Sequence, residues 1–242
     1  MGKVLRSEFL KLRKSSIWLL IFISPILASL TGLGEISRDS LAYQWEMTLS
    51  IMVFLHALLF LPLLTGVFSA FVCRYEHTGG GWKQLLAMPV SRGNVFITKF
   101  ILVVGLLALT QILFTAGLLI IGQLQGFEAA IPWKMIATSV IGGWIACLPL
   151  AALQLFVSIA WSSFATPLAI NVIFTLPNIL VVNSEKFGPY YPWGQPFLLM
   201  MPGAGDSFGA LNVPLGTLMI VILGGLVLFF VSGFIYFQRK EV

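Results

Sequence analysis

Between Lys134 and Glu185 the chain runs 50 residues, Met135 to Ser184, without a charged side chain. A membrane-spanning helix needs roughly 20 predominantly apolar residues, so this run is long enough for two. Similar stretches recur: Ile17 to Gly34, Leu49 to Cys73, Phe100 to Phe127 and Ser207 to Gln238 all lack Lys, Arg, Asp and Glu. Only 10% of the 242 residues are charged and the mean hydropathy is +0.97. A soluble domain carries about 25% charge. The sequence therefore predicts an all-α integral membrane protein of six transmembrane helices, near 17–34, 49–73, 100–122, 135–158, 165–183 and 213–236. The turn inside the 50-residue run falls at WSSFATP, Trp161 to Pro167, where Ser and Thr cluster ahead of a proline that disfavours helix at the residue before it.

The basic start followed by an apolar run imitates a signal peptide. No small-x-small cleavage pattern follows, so Ile17 onward reads as a retained first span. The two cysteines, Cys73 and Cys147, read as small buried hydrophobes rather than a disulfide.

Charge sets the expected orientation. With both termini inside, 11 of the 14 basic residues are cytoplasmic: Lys3, Arg6, Lys11, Arg13, Lys14, Arg74, Lys83, Arg92, Lys99, Arg239 and Lys240. Arg38, Lys134 and Lys186 face outward, as the positive-inside rule requires. The net charge of +5 is thus an orientation signal, and no domain exists to hold a nucleic-acid face. The expected address is a bacterial cytoplasmic membrane.

The chain reads as one transmembrane domain, 1–242, with three segments outside the spans. Residues 3–15 form a basic amphipathic helix, with Leu5, Phe9 and Leu12 at helical spacing, suited to lie in the interface near anionic lipid. Residues 75–99 form a cytoplasmic loop. Residues 184–212 form an outer interfacial or re-entrant segment, rich in Pro, Gly, Tyr190, Tyr191 and Trp193.

Catalytic chemistry is sparse. There is no HExxH, no GxSxG and no GxxxxGK[ST], so the chain has no phosphate loop with which to hydrolyse ATP, and no cofactor or metal site is expected in it. His56 lies within the second span. An ionisable group there is a functional candidate, against the plainer reading of a neutral histidine hydrogen-bonded to a neighbouring helix. Gln111, Gln154 and Asn171 are candidate intramembrane polar residues, and equally helix–helix contacts.

The 75–99 loop carries the remaining signal. Three glycines, Gly79 to Gly81, free the backbone; WKQLLAM then makes a short helix with Trp82, Leu85 and Leu86 on one side; Pro89 ends it; Ser91 to Asn94 form a turn into the next span. Such a helix can shield the base of the bundle or fill a cleft on a partner.

Glu76, Thr78, Gly79, Leu85, Leu86, Pro89, Ser91, Arg92 and Lys99 resemble the first cytoplasmic loop of type-2 ATP-binding cassette export permeases. The stretch Glu8 to Ser15 is similar to that family's interfacial helix. The narrower likeness is to the lantibiotic-immunity and bacitracin-type group. The resemblance implies two permease copies, or two related permeases, pairing with separate P-loop ATPases that hold the ATP and Mg. It implies that Glu76, Trp82, Leu85, Leu86 and Arg92 dock the ATPase, and that an amphiphilic antimicrobial peptide or lipid-like substrate is moved. The triple glycine departs from the family's helix start and implies a softer linkage. A non-transporting membrane receptor or assembly protein is the alternative function.

Overall fold

The computed structural model describes residues 2–13, 15–34, 43–77, 81–87, 90–202 and 212–240; of the side chains within these helices, those of Lys3 and Leu86 are outside the described set. The regular elements among these residues are all helices. Helix α1 (Gly2–Arg13) meets α2 (Ile17–Gly32) at a bend of 70°. A rod from Gln44 to His77 is built from α3 (Gln44–Leu55), a π turn (His56–Phe60), α4 (Leu61–Cys73) and a 3-10 turn (Arg74–His77). The short α5 (Gly81–Ala87) follows, then the long α6 (Arg92–Leu124) and α7 (Trp133–Ala160). The chain continues through α8 (Ala165–Thr175), α9 (Asn178–Val181), α10 (Gln195–Met200) and α11 (Leu215–Arg239).

Among the described residues, four helical segments are long and apolar enough to cross a membrane, 44–77, 92–124, 133–160 and 215–239, and a fifth is reached if the bent pair of α1 and α2 counts as one span. The break at Trp161 to Phe164 falls in the expected WSSFATP turn. The 165–183 stretch is not one rod: Pro177 divides it into α8 and α9. Two boundaries shift outward. The second rod begins at Gln44 rather than near 49, and the third begins at Arg92 rather than near 100, because Ser91 caps it by accepting from the Asn94 backbone N–H at 3.3 Å. Ser91 to Asn94 are thus the cap and first turn of α6, not a separate turn. At 33 residues α6 is about 50 Å long, well beyond a hydrocarbon core of about 30 Å. It ends at Gly126, whose φ of +69° lets Gly126 and Phe127 return their N–H groups to Gln123 and Gly122.

The bends are satisfied from outside the helix. Pro62 has no N–H, so the carbonyl of Leu58, four residues earlier, lacks its normal α-helical donor. The chain widens there into the π turn, and Asn178 donates from Nδ2 to the Leu58 carbonyl at 2.7 Å and to Trp193 at 2.9 Å. One turn on, Asn171 adds a second donor to helical carbonyls, those of Pro62 at 3.1 Å and Leu63 at 3.0 Å, while its own Oδ1 accepts from the Trp193 indole at 2.9 Å. An unsatisfied carbonyl in hydrocarbon costs several kcal/mol, so these two amides hold α8 and α9 against the rod.

The 184–212 segment, as far as it is described, folds into the bundle. Trp193, Phe197, Leu198 and Met200 are buried, and Ser139 of α7 donates to the Met200 carbonyl at 2.5 Å. Irregular backbone is tolerated there because it lies against protein. The expectation for Arg38 lies outside the described residues.

Gly66 leaves the space that Asn171 fills: a Cβ there would stand 2.2 Å from Asn171 Nδ2. Gly66→Ala is expected to cost about 1–3 kcal/mol by overpacking, seen as a lower unfolding midpoint in detergent. Gly105→Ala, where a Cβ meets nothing within 4 Å, is expected to leave the midpoint unchanged or raise it.

Candidate functional site: an ionic ring beneath the loop helix

Lys99 sits two turns inside α6 and is fully buried. Its ammonium has three protons and three acceptors: Glu8 Oε2 at 2.7 Å, Glu76 Oε2 at 2.9 Å and the Val72 carbonyl. The other oxygen of each carboxylate goes to Lys11, at 2.5 Å for Glu8 and 2.6 Å for Glu76. The four side chains close a ring, Lys99–Glu8–Lys11–Glu76, in which acid and base alternate and the charges sum to zero. Both acids are almost wholly buried, and Lys11 is the member that reaches solvent, with its side chain 29% exposed.

The ring joins three remote pieces of sequence: α1, the end of the Gln44–His77 rod, and α6. Each arrives for a local reason. Glu8 and Lys11 are three apart and share one face of α1. The 3-10 turn after Cys73 brings Glu76 under the bundle. Lys99 falls seven residues after Arg92, so two turns of helix carry it inward.

Helix α5 covers the ring. The Trp82 indole lies 5.8 Å from Lys99 Nζ and 5.8 Å from Lys240 Nζ, packs edge-on against Phe237 of α11 at 5.2 Å, and donates to His77 Nδ1 at 3.3 Å. His77 in turn hydrogen-bonds the Ser158 carbonyl of α7 at 2.7 Å. Lys240, just past α11, donates to the Ile159 carbonyl at 2.5 Å, and burial lowers its pKa from the ordinary lysine value. Gly81 opens α5 against the backbone: a Cβ there would stand 2.6 Å from the Tyr75 carbonyl. Gly79, Gly80, Thr78 and Pro89 are outside the described residues.

The loop residues singled out from sequence do not form one outward surface. Glu76, Trp82 and Leu85 are buried within the chain, at 3%, 6% and 7% exposure, while Lys83, Gln84 and Ala87 are exposed. An amphipathic helix lying over a bundle buries its own apolar face. Arg92 lies elsewhere, with Nη1 donating to the carbonyls of Gln238 at 2.9 Å and Lys240 at 2.6 Å, so it caps the end of α11.

The four intramembrane candidates do not share a site either. His56 and Gln111 belong to one chain of contacts: Gln111 Oε1 accepts from His56 Nε2 at 3.2 Å, which leaves Nδ1 to accept from Ser24 Oγ at 2.6 Å, and the ring stacks on Phe114 at 4.2 Å. Gln111 Nε2 continues to Met200 Sδ at 3.3 Å. The imidazole and Gln111 thus tie together α2, the rod, α6 and α10. Asn171 serves the backbone beside Pro62. Gln154 is fully buried, with neither amide atom hydrogen-bonded among the described residues. The described residues also hold no group of three or more His, Cys, Asp or Glu that could take a metal.

The pattern of ABC-2 family transporter proteins matches residues 4–178, a span that includes all four members of the ring and the whole of α5. The chain belongs to that family. It is a membrane permease of an ABC-type transporter system. Within the ABC-2 family it is similar to the bacitracin transport permease protein BCRB of Bacillus licheniformis, at 24% identity over 139 residues. That match covers 56% of this chain and 66% of the relative.

Sequence reasoning missed the ring. Lys99 looked like the charge that ends a loop, and Glu8 was hidden among basic neighbours. The available signal was the pairing of a lone acid on each of two basic segments with a lysine bordering an apolar run. Removing one member leaves a buried charge without its partner. Lys99→Met is expected to cost about 3–5 kcal/mol, read as unfolding midpoint in detergent, and adding Glu76→Gln to restore neutrality is expected to recover a large part of the loss.

Proposed function

We propose that this permease is the membrane subunit of an ATP-driven exporter, with six spans, both termini cytoplasmic, and α5 as the element that meets a separate ATPase carrying ATP and Mg. The observation that carries the reading is the seating of α5. Trp82 touches the ends of the rod, α6 and α11, so a push on α5 is delivered to three helices at once. In this reading Trp82 and Leu85 fasten α5 to the bundle, Glu76 holds the ring beneath it, and Arg92 locks α11 to α6. The exposed Lys83 and Gln84 meet the ATPase groove. A sixth span is made by α8 and α9 with the loop that follows. A second permease copy completes the transporter.

Family membership supports pairing with an ATPase, and likeness to a bacitracin transport permease supports a peptide antibiotic or a similar amphiphile as substrate. The localisation that follows is the bacterial cytoplasmic membrane.

The docking reading separates from a shielding role in one experiment. Lys83→Glu with Gln84→Glu is expected to reduce recovery of the co-expressed ATPase about tenfold in pull-down, at unchanged membrane level and unfolding midpoint, since unmatched interfacial charge costs affinity while these side chains are exposed in the permease. Full association and transport by that variant would make α5 a passive cover. Trp82→Ala, by contrast, is expected to lower the permease's own stability by about 3 kcal/mol.

Orientation has its own check. A cysteine at Phe187 is expected to react with impermeant maleimide from outside intact cells, and one at Lys83 only after lysis. The reverse pattern inverts the topology.

A further inference from the structure

Helix α1 turns Glu8 and Lys11 toward the ionic ring and leaves another face to a groove of about 510 Å³ against α6. Leu5, Phe9, Trp18, Ile101, Leu109 and Gly105 line it, and Arg6 is its charged lining residue. The Trp18 indole N–H is spent on the Leu12 carbonyl at 3.0 Å, and its ring meets Phe9 edge-on at 5.8 Å, so what it offers the groove is apolar. At Gly105 the floor is open: a Cβ there meets nothing within 4 Å.

The charge balance of this end is uneven. The ring consumes both nearby carboxylates, Glu8 and Glu76, on Lys11 and Lys99. Helix α1 has no acid in its first turn, and Arg6 and Arg13 are exposed with no ion pair among the described residues. Since α1 lies at 70° to α2, a membrane crossed by α2 places α1 along its surface. That puts an apolar groove at acyl-chain depth with an unpaired guanidinium at headgroup depth.

We propose that the α1–α6 groove is a binding site for one anionic phospholipid, an acyl chain lying over Gly105 and the phosphate on Arg6. Guanidinium is suited to this, because its forked donors match a phosphate's oxygens. The site requires only that the chain spans a bilayer, and is independent of whether α5 docks an ATPase.

The test uses the full chain reconstituted in phosphatidylcholine vesicles with a trace of phosphatidylglycerol bearing a diazirine on one acyl chain, the adducts being mapped by mass spectrometry. Adducts are expected to concentrate on Leu5, Phe9, Ile101 and Leu109. Unlabelled phosphatidylglycerol is expected to compete about fivefold better than phosphatidylcholine, the scale of one basic contact with an anionic headgroup. Gly105→Leu fills the groove and is expected to remove these adducts, and Arg6→Gln to remove the headgroup preference; should Gly105→Leu fail to fold, Gly105→Ala is expected to reduce the adducts in part. Adducts spread equally over exposed α11 positions such as Ile220 and Leu228 would overturn the proposal. So would adducts on α1 and α6 that survive the filled groove, equal competition by the two lipids, or a second copy of the chain cross-linked in the groove.

Discussion

Everything at the α1 end of this permease depends on one ammonium group. Lys99 is carried into the bundle by its own helix, and a buried charge of this kind is tolerable only when every proton is taken and the charge is matched. Meeting that demand recruits α1 through Glu8 and the rod through Glu76, and Lys11 then completes both carboxylates. The helices come together here because a charge must be answered, in a protein whose other contacts are mostly undirected packing. A hydrophobic contact would allow α1 to slide along α6; a ring of four directed ion pairs fixes its register.

The same logic operates without charge at the Pro62 bend. A proline in the rod removes a donor, the amide of Asn178 reaches in from the neighbouring segment to supply it, and Asn171 binds the carbonyls that follow. Gly66 clears the path for one of them. The bundle thus has two kinds of polar joint, one ionic at the α1 end and one made of side-chain amides on backbone carbonyls, and the His56–Gln111 contact adds a third link that joins α2 to the rod and, through Gln111, α6 to α10.

Four of the six expected spans were legible because hydrocarbon imposes a length, and uncharged runs of that length have few other uses. The WSSFATP break was legible as well, since Ser and Thr clustered before a proline have a local meaning. The joints were not. Lys99 stands where a loop lysine would stand, and only the Ser91 cap, which moves the helix start back by two turns, turns it inward. Asn171 and Asn178 carry no local mark of the carbonyls they serve, because their partners lie more than 100 residues away. For α5, the pattern of Trp82 and Leu85 gave an apolar face but no direction, and burial in the chain's own bundle is what periodicity alone could not assign.

The ring's neutrality bears on how the permease responds to the membrane potential. Moving one elementary charge through the full potential involves about 2.3 kcal/mol per 100 mV. Two lysines and two glutamates displaced together carry no net charge through that field. The ring itself therefore does almost no electrical work when the helices it joins shift together, and the membrane potential acts on that shift through the charges outside the ring, such as Arg6 and Arg13 on α1.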